Sequence, residues 1–203
     1  MTKPIIDSHH HLWDYDAEQY PWIPVGSPLE RSYGLDDLAA HRGDFDVQGP
    51  VAVQARQSLE ETACLLGLAK QNPLCKAVVG WLPLQDDNIA EVLGRYADEP
   101  LLKGVRHVIQ DEEDPAFMLR PSFLHGLNAL SKTKLRYDIL IFGHQLPNTI
   151  KMVDELPDDM PLVLDHIAKP VIDPARFDEQ WAADFGELAK RSNVLCKLSG
   201  MAT

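Results

Sequence analysis
The chain predicts an α/β fold, a TIM-type (β/α)8 barrel with seven strands visible, on three observations. Short apolar runs recur along it, at residues 5–6 leading into His9, then at 51–53, 77–82, 101–109, 137–142, 162–164 and 194–198. Most are aliphatic or β-branched throughout, the pattern of strands covered on both faces in a parallel sheet. Amphipathic segments separate them at a step of roughly 30 residues, which suits one βαβ crossover. The third observation is what ends the first run. Asp7-Ser8-His9-His10-His11 stands where an open nucleotide-binding sheet carries a glycine-rich turn, and no such turn or phosphate loop occurs in the chain. The closed barrel is therefore favoured over the open doubly wound sheet.

The helices follow from their start signals. Ser58-Leu59-Glu60-Glu61 reads as a capping box opening a helix to about Gln71. Asp86 or Asp87 caps residues 89–97, and Pro121 and Pro147 suit the first turns of 122–132 and 148–156. Asp173-Pro174 opens a helix that carries Phe177, Trp181, Phe185 and Leu188 on one face. Residues 35–41 form a weaker helix after the loop from Trp13 to Gly34. No linker or long repeat interrupts this order, so residues 1–203 read as a single barrel domain. A complete barrel has eight strands and typically ~250 residues. The seventh run lies just before Met201-Ala202-Thr203, so the expectation is a C-terminally truncated barrel.

Composition bounds the function classes. The 203 residues are 45% hydrophobic and 25% charged, ordinary for a globular protein. A net charge of −12 and a pI near 5.0 repel a phosphate backbone, which argues against nucleic acid as a partner. Cys64, Cys75 and Cys196 form neither a disulfide framework nor a zinc pattern and fit a reducing compartment. With no stretch apolar enough for a leader or a membrane span, the expectation is a cytoplasmic protein with no membrane partner. Self-association into a homo-oligomer stays open. The acidic runs 111–114 and 154–159 lack calcium-loop spacing and read as solvated surface.

The histidines carry the chemistry. His9 and His11 are two apart, which on a strand turns both imidazoles to one face. At the C-terminal rim of a barrel they make half of a site for Zn²⁺ or another divalent metal. By the same alternation His10 turns away, and Asp7 lies below His9 to orient a ring or a nearby polar group. His166 closes the apolar run 162–164 and is the third candidate. The alternative is that these rings satisfy backbone groups in tight loops.

The stretch Asp7-Ser8-His9-His10-His11-Leu12-Trp13-Asp14 resembles the opening of the amidohydrolase-2 family, within the amidohydrolase superfamily. It is similar to the metal-dependent TIM-barrel hydrolases that include sugar-acid lactonases and a pyrone dicarboxylate lactonase. Further matches are Gly104-Val105-Arg106-His107, Gly143-His144-Gln145-Leu146-Pro147, Val163-Leu164-Asp165-His166 through Lys169-Pro170, and Lys197-Leu198-Ser199-Gly200. The resemblance implies that His9, His11 and His166 surround the reactive centre. It also implies an eighth-strand aspartate, which has no counterpart within the 203 residues.

The resemblance implies a hydrolase that opens a sugar-acid lactone in carbohydrate catabolism. A divalent cation, zinc first, lowers the pKa of its water to about 7 and polarises the carbonyl. In a metal-independent version the same histidines polarise the carbonyl and orient water. His9 and His11 are ligands, with His166 a third ligand or a partner of the carbonyl oxygen. Arg106 is placed to hold a carboxylate or hydroxyls, since only one of Arg106 and His107 faces inward. His144 and Gln145 are candidates for sugar hydroxyls, Lys169 for an anionic group, and Trp13 and Trp81 for apolar walls. Each has a plainer reading as a rim ion pair, a loop cap, solvated surface or packing. Nonoxidative decarboxylation and a noncatalytic sugar-binding barrel are the competing functions.

Overall fold
The computed structural model describes residues 4–41, 43 and 45–200. Met201-Ala202-Thr203 lie outside the described residues. The chain divides into two compact units, one of residues 1–81 with 99–103 and the other of 82–98 with 104–203.

In the first unit, strand β1 (Ile5–His10) pairs in parallel with β2 (Val47–Val53), which pairs in parallel with β3 (Ala77–Gly80). Between them run the helices α1 (Leu35–His41) and α2 (Leu59–Gln71). The Val78 N–H donates to the Leu101 carbonyl at 2.8 Å, so the approach to the next strand already lies beside β3. Val53, Val78 and Ala52 are fully buried, as a strand covered on both faces requires. Gly49 takes φ +147° on β2, where a Cβ would stand 1.8 Å from the Leu74 carbonyl oxygen. Only glycine fits that approach.

The start of α2 is half of the expected capping box. The Glu61 N–H donates to Ser58 Oγ at 3.0 Å, but the Glu61 carboxylate does not close the box. It accepts instead from the N–H groups of Ala55 and Arg56, at 2.7 and 2.8 Å. The buried carboxylate thus ties the loop after β2 to the helix that follows.

The second unit contains α3 (Ile89–Arg95) and the strands β4 (Leu102–Val108, from Gly104 onward), β5 (Arg136–Leu140), β6 (Leu162–Leu164) and β7 (Val194–Cys196). These strands are parallel and pair in chain order. Helices α4 (Pro121–Leu130), α5 (Leu146–Asp154) and α6 (Glu179–Leu188) connect them. In α4 the buried Phe123, Gly126, Leu127 and Leu130 fall on one face at helical spacing. Phe123 packs against Phe117 and Tyr137, and all three are fully buried. Phe117 and Phe123 each contribute roughly 1.5–3 kcal/mol of burial free energy.

Three local expectations fail for physical reasons. The expected helix start at Asp173-Pro174 is a turn with an isolated bridge from Asp173 to Arg176. The true cap of α6 is Asp178, whose side chain accepts from the Trp181 N–H at 3.0 Å, so Phe177 stays outside the helix and exposed. Asp86 and Asp87 do not cap α3; Asn88 does, without a side-chain hydrogen bond. The apolar residues of the outer strands are not covered: Ile5, Ile6 and Leu195 are exposed, β1 having β2 and β7 having β6 as its strand neighbour within its own unit. Among the described residues no helix is long and apolar enough to cross a membrane, and Cys64, Cys75 and Cys196 are unbridged.

Candidate active site
In the first unit the site starts where β1 gives way to the following loop. From Asp7 to His10, β1 advances three residues while its partners on β2 advance two, from Pro50 to Ala52. That extra residue breaks the simple alternation. Asp7 orients a ring and a backbone group at this point, the ring being that of His10. Its carboxylate takes the His9 backbone N–H at 3.1 Å and meets His10 Nδ1 at 3.1 Å. Burial by itself raises the Asp7 pKa, but these two contacts bring it below the ordinary carboxylate value. His10 is thus held by a carboxylate.

His9 and His11 meet edge to face, with ring centroids 4.9 Å apart and their Nε2 atoms 3.1 Å apart. His11 Nδ1 lies 2.9 Å from the Val53 carbonyl at the end of β2. A carbonyl only accepts, so His11 carries its proton on Nδ1 and turns an unprotonated Nε2 toward His9. Two Zn–N bonds of ~2.0–2.1 Å at a tetrahedral angle span about 3.3 Å between nitrogens. The observed spacing is close to that, and a carbonyl behind the ring is the usual support of a metal-binding imidazole. The pair fits a divalent cation.

The loop from residue 12 to 34 supplies the aromatic part of this unit. Trp13 Nε1 donates to the Arg31 carbonyl at 2.8 Å, and its ring packs against Tyr20, Trp22 and Tyr33. A cleft of about 700 Å³ opens there, lined by Trp13, Tyr15, Tyr20, Tyr33, Arg56 and Glu60 among others. Trp81 is half-buried, its backbone N–H and carbonyl both bonded to Thr62 Oγ1 at 2.8 Å.

In the second unit the strand ends converge on buried charge. Arg106 on β4 is 3% exposed, and its Nη1 lies 3.0 Å from Asp165 Oδ2. Lys197, just after β7, places Nζ 2.9 Å from Asp165 Oδ1 and also contacts Asp138 on β5. Burial and the neighbouring Asp165 push the Asp138 carboxyl up to about 6, against the pull of Lys197. His107 turns to the other side of β4. It stacks on Phe117 and bonds Glu112 at 2.6 Å, and burial holds its pKa below the ordinary value. Arg106 and His107 thus take opposite faces, and the Arg106 guanidinium is engaged by a carboxylate of the protein itself.

After β6 the backbone turns left-handed. His166, Ile167, Ala168 and Lys169 have φ of 53°, 49°, 58° and 46°. Such a conformation costs a non-glycine residue about 1–2 kcal/mol, so it persists only where surrounding contacts enforce it. The Lys169 N–H closes the turn on the His166 carbonyl at 2.8 Å, and Trp181 Nε1 donates to the Ile167 carbonyl at 2.8 Å. His166 Nδ1 shares a 2.7 Å hydrogen bond with Ser199 Oγ. Lys169 Nζ donates to Gln110 Oε1 at 2.7 Å, and burial lowers its pKa.

The remaining sequence candidates lie on the short helical turn Gly143–Gln145. His144 is exposed and stacks on Phe142. Gln145 is 2% exposed and donates to the Ile109 carbonyl at 3.1 Å while accepting from the Phe142 N–H at 2.9 Å. Both ends of that amide serve the backbone, which leaves it poorly placed for sugar hydroxyls. Asp138, Asp165, Lys197 and Ser199 received no role from the sequence. Their signal was there: Asp138 and Lys197 interrupt apolar runs, and a charge inside a buried strand requires a partner.

The amidohydrolase family model (Amidohydro_2) matches residues 6–203. An L-fucono-1,5-lactonase of Burkholderia multivorans is 39% identical over 206 residues, covering 98% of this chain and 68% of that protein. An L-fucono-1,5-lactonase of Burkholderia ambifaria is 32% identical over 199 residues, with the same shares of 98% and 68%. A crystal structure of an amidohydrolase from Burkholderia multivorans with bound zinc superposes with a TM-score of 0.88 at 40% identity, over 96% of this chain and 69% of that one. The likeness carries the fold class expected from the sequence, a TIM-type α/β barrel. On the match over nearly its whole length, the chain belongs to the amidohydrolase family.

Proposed function
We propose that the chain is a carboxylic ester hydrolase that opens the ring ester of a sugar-acid lactone. The two L-fucono-1,5-lactonases to which it is similar support this substrate class. The observation that carries the reading is the His9–His11 pair, with Nε2 atoms 3.1 Å apart and His11 fixed by the Val53 carbonyl.

His9 and His11 hold a divalent cation, zinc being the first to test, since the superposed amidohydrolase was solved with zinc. His166 serves as a third ligand or as the partner of the lactone carbonyl. When bound, the cation supplies Lewis acidity toward the carbonyl and a water that ionises near neutral pH. The protein's own work is orientation. Val53 fixes the tautomer of His11, and Ser199 restrains the ring of His166. Lys169 adds positive charge for the carboxylate that forms on ring opening, and Arg106, whose charge Asp165 already balances, is the secondary candidate for that contact. His144 meets a sugar hydroxyl at the exposed rim, and Trp13 offers an apolar wall. The substrate is a small molecule and the barrel a single domain. Three unbridged cysteines and the charge of −12 favour a cytoplasmic enzyme with no nucleic-acid partner.

A panel of sugar-acid 1,5- and 1,4-lactones, L-fucono-1,5-lactone included, tests the class. The metal-loaded protein acidifies a pH-indicator solution above the spontaneous rate with at least one of them. Release of CO₂ from aromatic acids, with no lactone opened, would replace the reading with nonoxidative decarboxylation.

A further inference from the structure
The segment Lys197-Leu198-Ser199-Gly200 follows β7 and touches the left-handed turn at successive points. Lys197 Nζ lies 2.9 Å from Asp165 Oδ1, the residue immediately before the turn. Ser199 Oγ is 2.7 Å from His166 Nδ1. Gly200, at φ +70°, lies so near that a Cβ there would stand 2.8 Å from the His166 Cβ. The Lys197 N–H donates to the Leu164 carbonyl at 2.9 Å, which anchors the segment to the end of β6. Leu198, between the contacting residues, is 78% exposed. Lys197, Ser199 and Gly200 thus face the turn while Leu198 does not, and each does a different thing to it: a charge, a hydrogen bond and an absence of bulk.

We propose that Lys197, Ser199 and Gly200 form a positioning strap that fixes the ring orientation of His166. Four left-handed residues in sequence do not hold themselves, and a histidine on such a turn has no helix or strand to set its direction. The strap supplies that direction from the neighbouring strand. Ser199 bonds Nδ1, and a hydrogen bond at one ring nitrogen fixes both the tautomer and the direction of the ring. Lys197, with Arg106 on the other carboxylate oxygen, locks Asp165 and with it the entry to the turn. The inference rests on the proposed role of His166 but concerns how that ring is held.

The test pairs kinetics with the imidazole NMR spectrum of ¹⁵N-histidine-labelled protein, the His166 signals being assigned by their loss in His166→Gln. Ser199→Ala shifts the His166 ring resonances and lowers kcat by about 10–100-fold, with KM for the lactone little changed. Ser199→Thr, which keeps the hydroxyl, restores both. Lys197→Arg, milder than removal of the charge, moves the same resonances. Leu198→Ala leaves spectrum and kcat as in the parent. An unchanged His166 spectrum in Ser199→Ala, or an equal change in Leu198→Ala, overturns the strap. If the parent opens no lactone, the lactonase reading fails on that ground, and the spectra alone decide the strap.

Discussion

Asp138 lies on β5, 2% exposed, beside Lys197 and in the field of Asp165. Burial and Asp165 push its carboxyl from 3.8 up to about 6, so the folded protein keeps this proton at pH values where the unfolded chain has released it. Between those two values the native state binds more protons, and this group's contribution makes stability fall as pH rises, levelling above about 6. Urea unfolding of the parent and Asp138→Asn across pH 4–8 isolates it. The stability of the parent relative to the variant declines through the window from about 4 to about 6 and is flat above. A relative stability that climbs with pH would mean the Lys197 contact outweighs burial. His9, His11 and His166 could be nominated from the sequence because their spacing and strand-end positions are local properties. The partners of those rings were not. Val53 and Ser199 are 42 and 33 residues away along the chain, and only the folded strands bring them in.

At the scale of elements, local chemistry gave most strands and helices, and tertiary contacts moved their ends. Ser58 caps α2 as its position implies, whereas Glu61 turns from the expected box to the backbone of Ala55 and Arg56. Ser58→Ala therefore removes one exchangeable cap and costs about 1 kcal/mol, a fall in Tm of roughly 2–4 °C for a domain of this size. Glu61→Ala strips two half-buried N–H groups of their acceptor and costs more than the single cap, the full penalty for an unsatisfied buried group being about 1–3 kcal/mol. Thermal denaturation of the two variants ranks them, and equal losses would show that Glu61 does not anchor the loop. The start of α6 was misread because Asp173 and Asp178 are both plausible caps, and only the bond from the Trp181 N–H selects the second. The left-handed turn at residues 166–169 carries no glycine to announce it, so nothing local could reveal it.

For the whole molecule, the barrel class was legible because seven apolar runs spaced by helices leave few other architectures, and the amidohydrolase match agrees. Cation binding to the native state alone predicts stabilisation by linkage, ~2.7 kcal/mol at a hundredfold excess over Kd. Scanning calorimetry shows it as a zinc-dependent rise in Tm for the parent that His9→Ala and His11→Ala lose. No zinc effect on the parent would favour the version in which the histidines act without metal. The central claim is that the His9–His11 pair makes lactone opening possible, and the most direct measurement is kcat/KM on the best lactone for the parent, His9→Ala and His11→Ala. Both substitutions are expected to abolish turnover while circular dichroism shows the parental fold. Turnover within a few-fold of the parent in either correctly folded variant would contradict it.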